Sequence, residues 1–140
     1  MILHVNFEEL KALRAGAQAV LGRDREGASP ILAPAESRAR VEALLPMLTG
    51  DLEFGTLHEI LGAEAAVRAI VECLRAEMES VVVATHAAGE EAVAAYFDFA
   101  HALTVSHRLA EMAGEMRAVI ELVTGAPPTE ETERTFRFPD

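Results

Sequence analysis

The chain has 140 residues, is 51% apolar, and carries a formal net charge of −11, with 12 Lys+Arg against 23 Asp+Glu. Such a length and apolar content suit one helical domain over 1–140 with a real core, and exclude a disordered chain. The acidic balance, with no run of three Lys/Arg, argues against nucleic acid and membrane surfaces, whose phosphates it repels.

Cys73 is the lone cysteine, so neither an intramolecular disulfide nor a Cys-based zinc framework is available. The start, MILHVNFEEL, has no basic leader region, and no apolar stretch reaches bilayer-spanning length. A cytoplasmic location is expected. The Ala-, Arg- and Glu-rich composition, with Lys11 the single lysine, is typical of a GC-rich bacterial genome.

In chain order, MILHVNF alternates Leu3, Val5 and Phe7 against Ile2, His4 and Asn6, the period of a short strand. Asn6 followed by Glu9 has capping-box spacing and opens a first helix over Phe7 to Leu21. Its apolar stripe is Leu10, Leu13, Ala17, Val20 and Leu21, and Gly22 ends it. Residues 22–36 carry prolines and charge reversals and are expected to form a flexible loop.

A second helix is predicted over Ala35 to Leu48, with Val41, Leu44, Leu45 and Leu48 inward and Pro46 as a late kink or stop. Leu52 and Phe54 read as a short extended piece. Thr56 and Glu59 form a second capping-box spacing, which starts a helical turn at Leu57. A third helix is then expected over Ala63 to Ala87. Ile60, Val67, Val71, Leu74, Met78 and Val81 fall at heptad-like spacing and form its seam. The rival for Ser80 to Thr85 is a buried strand, because SVVVAT has strand propensity.

A fourth helix starts at Glu90 and runs to Val123, stopped by Gly125, Pro127 and Pro128. Such a helix would be roughly 50 Å long, and a kink near Thr104 to Ser106 or at Gly114 is expected. The tail over 125–140 alternates Phe136 and Phe138 as a second short strand, able to pair with the first. The fold class is therefore mainly α: about four helices in a bundle, the last two long and antiparallel, with short terminal strands.

The chemistry-bearing stretch is YFDFAHALTVSHR, Tyr96 to Arg108. Each helical residue advances about 100°, so Asp98 lies about 60° from His101, near Val105 and Met112, while His107 lies about 120° away. Asp98 and His101 thus share one face at a spacing that lets them touch. Three uses compete. One is a metal site built from Asp98, His101 and Glu90, which bundle precedents complete with ligands from facing helices. Another is a buried carboxylate–imidazole hydrogen bond. In the third, the pair faces a partner chain and titrates there. The third-helix seam supplies no further acid or histidine, so no metal or cofactor is assigned and the hydrogen bond is favoured.

No nucleophile stands out. Cys73 sits among Glu72 and Glu77, not in the electropositive setting that a reactive thiol needs. Ser80 and Ser106 lack the glycines of a nucleophile elbow. Neither His4 nor His58 has a partner at metal-ligand spacing. No motif carries a family resemblance.

By subtraction, the expected function is a non-catalytic protein–protein interaction module, a small bacterial adaptor or regulatory subunit that self-associates or docks a protein partner. Its expected interaction residues are those of the terminal strands: Leu3, Val5, Phe7, Phe136 and Phe138. The alternative is a helical-bundle metal- or small-ligand-binding protein, or an enzyme, using Asp98 and His101 in a core cavity.

Overall fold

A computed structural model describes residues 1–22, 34–85 and 89–139. In chain order the elements are β1 (Ile2–Leu3), α1 (Phe7–Leu21), α2 (Ala35–Leu44), β2 (Leu52–Glu53), α3 (Leu57–Thr85), α4 (Glu90–Thr124) and α5 (Glu130–Thr135). The architecture is mainly α, and the long antiparallel helices α3 and α4 form its spine. Most of the loop expected over 22–36, and His86, lie outside the described residues.

The capping chemistry of α1 forms as its spacing predicts. The Asn6 side chain accepts from the Glu9 N–H at 2.8 Å, and the Asn6 N–H donates to Glu9 Oε1 at 3.0 Å. Gly22 then closes the helix at φ 69°, a left-handed position where a side chain would be strained. Leu10, Leu13, Ala17 and Val20 are buried, and Leu21 packs at the margin.

The second helix is shorter than its apolar pattern implied. It ends at Leu44, and Leu45–Met47 form a 3₁₀ turn around Pro46. Proline has no N–H to donate and crowds the preceding turn, so the α-helical ladder stops there. Arg14 Nε of α1 donates to the Leu48 carbonyl at 2.7 Å and pins this turn.

The third helix begins at Leu57 and continues to Thr85, so the separate turn at Leu57 is its own first turn. Thr56 accepts from the Glu59 N–H at 3.2 Å, but Glu59 reaches the Gly55 N–H rather than closing the box on Thr56. The strand rival over Ser80 to Thr85 is overturned, because the backbone there stays helical. Ile60, Val67, Val71 and Leu74 are buried, joined by Ala63, Ala66 and Ile70.

The strand pairing differs from expectation. β1 pairs antiparallel with β2, Ile2 opposite Glu53 and Leu3 opposite Leu52. The tail forms no strand among the described residues. Thr129 instead caps the short helix α5, accepting from the Thr132 N–H at 3.2 Å, with Glu130, Glu131 and Glu133 in its first turn. Beyond it, the Phe138 N–H donates to the Gly55 carbonyl at 3.0 Å, which lays the tail beside the turn into α3. Leu52 and Phe54 lie nearer the first strand in space because the preceding turn folds back onto it, with the Phe54 N–H donating to the Met1 carbonyl.

The core lies where α1, α3 and α4 meet. Leu13, Ile60, Val67, Ile70, Val105, Leu109 and Ile120 are fully buried there. At Gly16 a Cβ would collide with Ile70 and press on Leu74, so the absence of a side chain lets α1 approach α3 closely. α4 is continuous from Glu90 to Thr124, and its C-cap Gly125 adopts φ 79°.

Candidate functional site

Two surfaces of α4 carry the candidate chemistry, and both lie in its N-terminal half. The inward-directed line of its N-terminal half comprises Glu91, Ala94, Ala95 and Asp98. These residues do not enter the core. With Ala15 and Ala19 of α1, and Leu74, Glu77 and Val81 of α3, they line a groove of about 420 Å³. The alanines keep it open because their methyl groups are too short to fill it. Three carboxylates, Glu77, Glu91 and Asp98, give it acidic character.

Asp98 is half-buried in this groove. Burial raises its carboxyl above the ordinary value of 3.8; Lys11 and His101 pull it down, and Glu8 pushes it up. His101 is also half-buried, but its ring stacks on Phe97, centroids 6.4 Å apart. No hydrogen bond joins Asp98 to His101, although the expected spacing and shared side of the helix are correct. Their interaction is through-space attraction only. Glu90 is exposed and is not part of the groove; its neighbour Glu91 is. Among the described residues, no three His, Cys, Asp or Glu side chains gather into a metal-binding group.

The opposite face of the same half of α4 is apolar and exposed. Val93, Tyr96 and Phe97, at i, i+3 and i+4, are 45%, 55% and 53% exposed. Tyr96 and Phe97 meet edge to face with ring centroids 5.8 Å apart. Sequence reasoning passed over these residues. The same 100° projection that joined Asp98 to His101 places them away from Val105 and Met112. Their signal is that this stretch is apolar nearly all round, a pattern that calls for cover on more than one side.

The terminal residues expected to form the interaction surface have other placements. Leu3 is buried in the core, Val5 packs on it, and Phe7, 73% exposed, is the first residue of α1 rather than part of the strand face. Phe136 and Phe138 are half-buried, pack against the core, and lie 5.7 Å apart.

The remaining polar groups fasten elements together. His4 Nδ1 lies 3.0 Å from Asp51 Oδ2, and the Val5 N–H donates to Asp51 Oδ1 at 3.0 Å. These contacts, the Val5 bond foremost and then His4, hold the Asp51 carboxyl below its ordinary value. Arg108 donates to the His4 carbonyl at 2.7 Å and approaches Glu9 Oε2 at 2.6 Å. The Glu9 approach is misaligned for a hydrogen bond and acts as an ion pair. His107 is exposed and apart from Asp98, as its helical angle requires. His58 and Glu59 border a second, more apolar groove of about 370 Å³ between α2 and α3.

No protein family, no curated protein and no solved structure matches this chain. Among the described residues, no helix is long and apolar enough to cross a membrane.

Proposed function

We propose that this chain is a non-catalytic protein–protein interaction module, a small adaptor or regulatory subunit that docks a protein partner through the N-terminal half of α4. The observation that carries the reading is the exposed cluster Val93, Tyr96 and Phe97. Contiguous exposed aromatic surface is costly in water and is typical of a binding face. Tyr and Phe are favoured interface anchors because they bury large area at little conformational cost. The edge-to-face contact already orders the Tyr96 and Phe97 rings.

The test is site-specific photo-crosslinking in the native cell. A crosslinker at Phe97 is expected to trap one discrete adduct that the same group at exposed Glu115 does not. Equal, diffuse labelling at both positions would remove the reading.

A second reading rests on the groove lined by Asp98, in which a small cationic ligand or metal would bind. Metal analysis of the purified protein, with thermal shifts on adding divalent cations, distinguishes it. Near-stoichiometric metal lost in Asp98→Asn would favour this second reading over the adaptor.

A further inference from the structure

Resting on that docking reading, we infer that the partner is a second copy of this chain, its α4 crossing the α4 of the first antiparallel, with the two-fold axis between Tyr96 and Phe97. Val93, Tyr96, Phe97 and Ala100 stand at i, i+3, i+4 and i+7, a stripe spanning about 100° of the helix. The stripe is symmetric about its own centre. In an antiparallel crossing, Tyr96 of each copy meets Phe97 of the other, and Val93 meets Ala100, a larger side chain against a smaller one. A two-fold contact requires such a match, because one patch serves both sides.

Charge decides the occupant. The chain carries −11 overall, yet the stripe itself holds no charged side chain. The groove carboxylates are turned away: around α4, Asp98 stands about 160° from Tyr96 and Glu91 about 140°. A basic or acidic segment would find no matching charge along the stripe, whereas a second copy brings the same uncharged apolar surface. The rim matches as well. Glu90 and His101 lie at opposite ends of the patch, each within about 40° of Phe97 around the helix. The two-fold axis keeps that flank of both copies together and sets Glu90 of one within about 3 Å in height of His101 of the other. Two carboxylates thus stand opposite two imidazoles, which offsets part of the repulsion between acidic copies. The contact from Glu90 to His101 spans about 18 Å of helix, well short of a standard interface, so the dimer is reversible rather than permanent.

Sedimentation equilibrium of the purified chain, with salt present to screen the net charge, tests the inference. A monomer–dimer equilibrium is expected between about 10 μM and about 1 mM, the range of small transient interfaces. Tyr96→Ser with Phe97→Ser, at unchanged helicity, should weaken it about tenfold or more, since aromatic anchors dominate interfaces. Val123→Ser, at an exposed apolar position near the far end of α4, should leave it unchanged. A photo-crosslinker at Phe97, mapped by mass spectrometry, should join residues 90–104 of the other copy.

A chain that stays monomeric throughout would overturn the inference. So would an equal loss in Val123→Ser, which would mark unspecific apolar adhesion, or a crosslink outside residues 90–104. In the cell, the Phe97 adduct should have twice the 15.1 kDa mass of the chain. A discrete adduct of any other mass would assign the face to a different protein, overturning the second-copy inference while leaving the docking reading intact. Absence of any discrete Phe97 adduct would instead remove the docking reading itself.

Discussion

At the scale of single residues, the polar groups sort by whether they have partners. Asp98 is half-buried without a hydrogen bond, and burial favours its neutral form. Its raised pKa means that the folded chain holds a proton that the unfolded chain releases, so ionisation opposes folding as pH rises through that value. Asp98→Asn should therefore be more stable than the wild type at neutral pH. The difference should disappear as pH falls below the ordinary carboxylate value, where both side chains are neutral. Urea titrations of the two proteins at neutral and acid pH measure this. Asp51 is the opposite case. Its carboxyl is held below its ordinary value, so its contribution is present above that value and fades as pH falls through the depressed one. Asp51→Asn should lower the thermal midpoint at neutral pH and converge with the wild type in strong acid.

Glu9 has a different weight. It is 5% exposed, closes the α1 cap, and faces Arg108. Glu9→Ala removes a cap partner and leaves the partly exposed Arg108 without its counter-charge. Losing such a cap and weakening such a pair costs about 2–3 kcal/mol, readable as a shift in the urea midpoint. A result near zero would mean that water takes over both roles.

At the scale of elements, helix type and termination follow from local chemistry, and helix packing follows from what each face omits. α1 can lie close to α3 because Gly16 has no side chain to meet Ile70 and Leu74. Gly16→Val is expected to push the helices apart at a cost of about 1–3 kcal/mol, as overpacked interiors show. Chemical denaturation should record it as a lower midpoint with little change in slope. α4 makes the contrasting case. Phe97→Ser, on its exposed face, should change stability by less than about 0.5 kcal/mol, while its effect appears in partner capture. A large loss of stability there would mean that the face is covered within the chain.

At the scale of the whole molecule, the surplus of acid is a uniform load on the folded state. Compaction brings like charges together, and salt screens them. The thermal midpoint is therefore expected to rise between low and moderate ionic strength, as scanning calorimetry would show. A midpoint that falls with salt would indicate that attractive pairs such as Glu9–Arg108 outweigh the repulsion.

Local rules carried the reading of the sequence far in some places and not in others. The capping box at Asn6 and Glu9, the glycine stops at Gly22 and Gly125, and the helical period of Ile60 to Leu74 depend on neighbours within one or two turns. The sequence states them directly, and with them the mainly α fold class. Which strand pairs with Ile2–Leu3 depends on where a turn 50 residues away comes to rest, and no local pattern encodes that. The same holds for Tyr96 to Arg108. Its helical angles placed Asp98 and His101 on one side and His107 off it, purely from geometry within the helix. Only the tertiary structure decided that the alanines of α1 and α4 leave a groove beside Asp98, that His101 turns to Phe97, and that the aromatic face stays in solvent. Those outcomes depend on how three helices divide the available apolar surface, and α4 has more of it than α1 and α3 can cover.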